Sequence, residues 1–237
     1  MALVRLDKLL TDTGKASRSE ARRLIRDGRV AADGLVCRQP EARVEDTAEL
    51  SLDGEIIGSS AVCLMLHKPA GVLSATEDAA QKTVLDLLPV QLRRQGYFPV
   101  GRLDKDTTGL LLLTTDGDLA HRIISPKKQV EKQYLARVDG VLTEEDVRAF
   151  AEGISLADGT RCLSAGLELL DGGRTVRVTL TEGKYHQVKR MLASRGAPVM
   201  ALHRERIGAL LLDEKLAPGA FRPLTASEVD LIFAVKD

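Results

Sequence analysis

The sequence predicts an α+β protein of 237 residues, with a small N-terminal α/β module and a larger domain containing an antiparallel meander and flanking helices. Three stretches carry that prediction. Residues 101–109 form a charged loop that runs into four consecutive leucines at 110–113 and then an Asp116-Gly117 turn, which fits a strand buried on both faces. Periodicity alone would equally fit a buried helical segment. Residues 175–180 alternate, with Val176, Val178 and Leu180 on one face, after an Asp171-Gly172-Gly173 turn. Near the N-terminus, Ser17-Arg18-Ser19-Glu20 has the form of a capping box, and an Asp33-Gly34 turn between residues 30–32 and 35–37 signals a hairpin.

In chain order, Leu6, Leu9 and Leu10 share one face of a short first helix. The helix capped at Ser17 would close at Gly28. It turns Ala21, Leu24 and Ile25 inward and leaves Arg18, Arg22, Arg23, Arg26 and Arg29 mostly outside. Gly58-Ser59-Ser60 reads as a flexible linker, dividing the chain into residues 1–58 and 59–237. An apolar run over 61–66 ends at His67-Lys68-Pro69-Ala70-Gly71, where Pro69 and Gly71 stop the strand. Residues 83–88 fit a helical turn, and 118–124 a helix bearing Leu119, Ile123 and Ile124. Lys127, Lys128 and Lys132 follow on a polar loop, then a strand over 133–138 that contains Tyr134. Thr143 caps a helix whose first turn, Glu144-Glu145-Asp146, places acid at the favourable end of the helix dipole. Residues 182–192 enter a helix closed by Gly196. Residues 198–206 and 207–212 read as two strands with Arg204, Glu205 and Arg206 at their junction, and 226–235 as a last helix.

Lys+Arg and Asp+Glu both number 34, so net charge points to no partner, but its distribution is uneven. Residues 120–137 hold five basic residues against one acidic, and 182–206 hold six against two. Segregated basic stretches on a neutral chain suit a one-sided face for a polyanion. Cys37, Cys63 and Cys162 form no CxxC and read as free thiols in a reducing, cytosolic compartment. No apolar stretch reaches the roughly 20 residues of a membrane span.

Beyond these patterns, Gly101-Arg102-Leu103-Asp104-Lys105-Asp106-Thr107-Thr108-Gly109 resembles the signature of the RsuA-like pseudouridine synthases. The Lys-Pro-x-Gly element at 68–71, the basic loop preceding Tyr134, and the Gly-Lys-Tyr-His-Gln-Val-Lys-Arg run at 183–190 resemble further motifs of that family, in order. Residues 4–57 resemble the S4 RNA-binding domain, and His203-Arg204-Glu205-Arg206-Ile207-Gly208 is close to the branch acting on small-subunit rRNA. The resemblance implies a mixed, mainly antiparallel central sheet flanked by helices, and an isomerase that turns a uridine of 16S rRNA into pseudouridine. It implies no redox cofactor and no nucleotide, since the reaction adds and removes no atoms, and no metal is expected because His67, His121, His186 and His203 show no zinc-ligand spacing. Asp104 is implied as the catalytic residue, although spacing alone would not choose it over Asp106.

The same resemblance gives Lys189 the position of a basic partner that keeps the aspartate charged. Many relatives have arginine there, so the charge remains while the bidentate fork is lost. Tyr134 would lie against the extruded uracil, and Arg102 would enter the space the base leaves. Arg18, Arg22, Arg23 and Arg26 of the module, with Lys68, Lys127, Lys128 and Arg190, are the expected RNA contacts. Whether the carboxylate attacks carbon or removes a proton stays open. Two alternatives stand beside this reading: an enzyme acting on 23S rRNA, and a non-catalytic RNA-binding ribosome-assembly factor. The sequence has no HExxH, P-loop or Gly-x-Ser-x-Gly motif.

Overall fold

In the computed structural model, residues 3–13, 15–45, 48–57 and 62–234 are described. The chain forms two compact units, one comprising residues 1–62 with 88–97 and the other 63–87 with 98–237. The linker expected at 58–60 lies outside the described residues, and the last helix, expected over 226–235, already ends at Leu231.

In the smaller unit, β1 (Leu3–Arg5) leads into α1 (Leu6–Asp12), which is followed by α2 (Arg18–Arg26). The Ser17 hydroxyl accepts from the Glu20 amide, the N-cap bond that the sequence pattern foretells. Leu6, Leu9, Leu10, Ala21, Leu24 and Ile25 are buried together, as their spacing requires. Next come β2 (Val30–Ala32), β3 (Leu35–Val36), β4 (Arg43–Glu45), β5 (Leu50–Leu52) and β6 (Glu55–Ile56). Four of these form a sheet in the order β3-β2-β5-β6, and β4 pairs with β1. Both hairpins in that sheet turn on Asp-Gly pairs with positive φ, Asp33-Gly34 and Asp53-Gly54. The unit also contains α3 (Val90–Arg93).

An ion cluster ties α1 to α2. Buried Asp7 accepts two bonds from Arg5, at 2.9 and 2.8 Å, and one at 3.0 Å from Arg22. Hydrogen bonding from Arg5, reinforced by Arg22 against the cost of burial, holds the Asp7 carboxyl well below its usual range. A depressed folded-state pKa contributes stability above the unfolded value of about 3.9, and that contribution disappears as pH falls through the folded value. Asp7→Asn is therefore expected to cost this unit about 1–3 kcal/mol at pH 7 and much less near pH 2, as read by chemical denaturation at the two pH values.

The larger unit is a nine-stranded sheet. Its strands are β7 (Cys63–Lys68), β8 (Phe98–Pro99), β9 (Thr108–Thr114), β10 (Lys132–Val138), β11 (Gly166–Leu170), β12 (Thr175–Leu180), β13 (Val199–Ile207), β14 (Leu210–Leu211) and β15 (Phe221–Pro223). The main order is β11-β12-β10-β13-β9-β7-β15, with β14 on β13 and β8 on β9. The pairing of β13 with β9 is parallel and the others are antiparallel, giving the mixed, mainly antiparallel sheet. Helices α4 (Gly117–Ile124), α5 (Glu144–Glu152), α6 (Gln187–Ser194) and α7 (Ala226–Leu231) flank it. The four leucines of β9 are all 0% exposed, which settles the strand reading over a helical one. β13 is continuous through Arg206, so Arg204, Glu205 and Arg206 are strand residues and not a junction; the chain turns only at Gly208.

One glycine fixes how closely β9 and β13 meet. Gly109 has φ +106 and pairs with Arg204, whose backbone a Cβ at position 109 would overlap. Gly109→Ala is expected to lower the stability of this unit by about 3–5 kcal/mol, from left-handed strain plus steric overlap, as a matching fall in thermal midpoint. No helix among the described residues is long and apolar enough to cross a membrane.

Candidate active site

The loop carrying Asp104 enters β9, and a lysine fastens it from beneath. Lys68, the last residue of β7, is 0% exposed. Its ammonium donates to the carbonyls of Pro69, Asp104, Lys105 and Thr107 at 3.1, 3.1, 3.3 and 2.9 Å. Burial pushes its pKa down to about 8, although Asp106 and Asp104 oppose that shift. Lys68 was expected to contact RNA; its complete enclosure corrects that expectation and gives it a structural task. Ser74 adds two bonds to the Leu103 backbone, at 2.8 and 3.1 Å, and the Gly71 amide donates to the Lys105 carbonyl at 2.8 Å. The Pro69-Ala70-Gly71 turn thus forms a bed for residues 103–107.

Above this bed, Asp104 extends into a small open cleft. Arg102, Thr107, Tyr134, His186, Lys189 and Leu202 are among its lining residues. Lys189 on α6 reaches across to place Nζ 2.9 Å from Asp104 Oδ2 and 2.6 Å from Asp106 Oδ1. His186 Nε2 stands 3.4 Å from the other carboxylate oxygen, Asp104 Oδ1. Burial alone would lower the Lys189 pKa, but hydrogen bonds to Asp106 and Asp104 outweigh it and raise the pKa. The same Lys189 bond holds Asp106 below its ordinary value. Sharing a cation does not make the aspartates equal, because the Asp104 side chain is 26% exposed and Asp106 is 73% exposed. Only Asp104 lines the cleft.

Tyr134 comes from β10, where Arg204 of β13 lies opposite it. Buried Arg204 donates to the Leu110 carbonyl at 2.7 Å and to the Tyr134 hydroxyl at 3.4 Å, with its guanidinium 5.9 Å from the tyrosine ring centre. The cleft therefore offers an anion held by a lysine, a phenol against a guanidinium, and apolar walls from Leu180, Val188 and Leu202. This chemistry suits a flat heterocycle with polar edges, with a carboxylate as the reacting group.

The other expected RNA contacts divide by environment. Arg102 is exposed at the cleft, and Lys127 and Lys128 are exposed on a short helical turn. Arg18, Arg22, Arg23 and Arg26 are exposed on α2, with Arg22 also bonded to Asp7. Arg190 is half-buried and paired with Asp158. Lys132, expected on the polar loop, begins β10 and donates to the Ile123 carbonyl at 3.3 Å; burial brings its pKa to about 8. Sequence reasoning missed His186 and Arg204 as neighbours of the reacting groups. The His-Gln pair at the start of α6 and the arginine opposite Tyr134 were visible, but their contacts depend on how α6 begins and on strand register, respectively.

Residues 62–194 match the family model described as RNA pseudouridylate synthase, and residues 4–50 match the S4 domain. The chain is 44% identical over 97% of its length to the uncharacterized RNA pseudouridine synthase YtzG of Bacillus subtilis, covering 98% of that protein. It is 42% identical over 95% of its length to ribosomal small subunit pseudouridine synthase A of Pseudomonas aeruginosa, covering 99% of it. A solved pseudouridylate synthase structure matches with a TM-score of 0.69 at 38% identity, covering 97% of this chain and 99% of that one. With its signature aspartate held by Lys189 in a cleft that Tyr134 also lines, the chain belongs to the RNA pseudouridine synthase family.

Proposed function

We propose that this pseudouridine synthase acts in the cytosol on one uridine of 16S rRNA, with Asp104, Tyr134 and Lys189 as its catalytic residues. The ion pair of Asp104 with Lys189, 2.9 Å long and inside the cleft, is the observation that carries the assignment of roles. A uridine swung out of its stack enters the cleft, at a cost of a few kcal/mol that phosphate contacts offset. Asp104 assists cleavage of the bond between N1 and C1′, the base turns, C5 joins C1′ and gives up its proton, and the freed N1 takes up a proton, so that substrate and product are isomers. Lys189 pairs with the carboxylate and fixes its position, Tyr134 presents its ring and hydroxyl to the base, and Arg102 holds the opened RNA. Lys127, Lys128 and Arg190 extend the phosphate grip. Residues 1–58 form the S4-like module, whose arginine-bearing helix adds sequence-indifferent contacts, and 59–237 form the catalytic domain.

The small-subunit substrate is supported by relatives named ribosomal small subunit pseudouridine synthase A, which are 42% identical in Pseudomonas aeruginosa and 39% in Escherichia coli. Tritium release from 16S and 23S rRNA transcripts labelled at uridine C5 tests the proposal. Release from 16S rRNA alone is expected. Release from 23S rRNA alone would reassign the substrate, and release from neither would favour a non-catalytic assembly factor.

A further inference from the structure

The turn between β12 and α6 holds an aromatic side chain out in solvent by means of a buried framework. Tyr185 is 75% exposed. Its ring lies on the His186 imidazole, with centres 3.8 Å apart and planes 20° from parallel. His186 lines the cleft and contacts Asp104, so the stacked pair stands at the edge of the reacting carboxylate. The turn is built rather than loose. Buried Gln187 accepts from the Lys184 amide at 2.9 Å and donates to buried Glu182 at 2.6 Å, and Glu182 also accepts from the Leu163 amide at 2.9 Å. His186 itself holds a left-handed backbone with φ +48, which aims adjacent side chains in directions that a regular helix start would not.

We infer that the exposed ring of Tyr185 is a stacking platform for the nucleobase next to the extruded uridine, a specificity contact that rests on the proposed reaction. When the target leaves its stack, its neighbour in the RNA loses a stacking partner. Tyr185, already seated on His186, replaces that partner at the cleft edge. Stacking on an aromatic ring is indifferent to base identity, so the platform selects RNA whose neighbouring base is free to unstack.

Steady-state tritium release from a 16S rRNA transcript labelled at uridine C5 tests this with three variants run beside the wild type. Tyr185→Ala is expected to raise KM about 5- to 100-fold, the range for losing one base–aromatic stack, with kcat held within about threefold. Tyr185→Phe and Tyr185→Trp keep a ring and are expected to stay within about twofold of the wild type in KM. An unchanged KM in Tyr185→Ala, or a defect in Tyr185→Phe equal to that of Tyr185→Ala, would overturn the platform while leaving the proposed reaction intact. No release by the wild type would overturn both.

Discussion

Asp104→Asn is expected to reduce isomerisation by at least about 10²–10⁴-fold while changing RNA affinity by less than about threefold. The substitution preserves shape and removes the charge. Asparagine can serve neither as a carboxylate nucleophile nor as a useful base, so both mechanistic routes close together. Binding should survive because the removed charge is negative, and its loss does not weaken contacts to phosphate. Local structure should survive as well: Lys189 keeps Asp106 as a partner at 2.6 Å, and Lys68 holds the Asp104 backbone carbonyl rather than its side chain. Single-turnover kinetics and filter binding on the same RNA would separate the two effects. An equal loss of affinity would show that Asp104 organises the site instead of reacting in it.

Lys68→Met should have the largest structural effect. Methionine fills a similar volume but withdraws the ammonium from four carbonyls; those of Lys105 and Asp104 keep the Gly71 and Thr107 amides as donors, while those of Pro69 and Thr107 lose the donor described for them. Each buried acceptor left unpaired costs about 1–3 kcal/mol, and partial relaxation of the loop brings the expected loss to about 3–5 kcal/mol. For a unit of this size that is a fall of about 6–20 °C in thermal midpoint. Activity at a permissive temperature should fall about 10²-fold, because Asp104 sits on the loop that loses its fastening. The lysine also predicts a pH effect. Burial brings its pKa to about 8, so above that pH a neutral amine faces the same four carbonyls with one proton fewer. The unfolded value is near 10.4, so between about pH 8 and 10.4 the native protein binds fewer protons at this site than the unfolded chain. Its contribution to stability therefore rises with pH over that window. Activity declining through about pH 8 without a matching fall in thermal midpoint is the expected signature. Unfolding in parallel would assign the decline to other groups.

How much of this could be read from sequence depended on whether a feature was local. The Ser17 cap, the Asp33-Gly34 hairpin and the buried strand through residues 110–113 are set by neighbours along the chain, and each appears in the fold. The Asp53-Gly54 hairpin carried the same signal and was overlooked. The short strands β1, β4 and β15 have too few residues to show a period, and they exist only through their partners. At the site, motif order identified Asp104, Tyr134 and Lys189, which all line the same cleft. It could not show that Lys68 points into the protein, because a Lys-Pro turn looks alike whether its lysine is solvated or enclosed. Nor could it show His186 beside Asp104 or Arg204 behind Tyr134, since those contacts follow from a helix start and from strand register.

The measurement that bears most directly on the central claim is pseudouridine mapping across 16S and 23S rRNA in cells lacking this gene and supplied with either the wild-type or the Asp104→Asn protein. The expected result is one 16S pseudouridine that disappears with the gene, returns with the wild type and stays absent with the variant. Restoration by Asp104→Asn, or maps of both rRNAs that do not change with the gene, would contradict it.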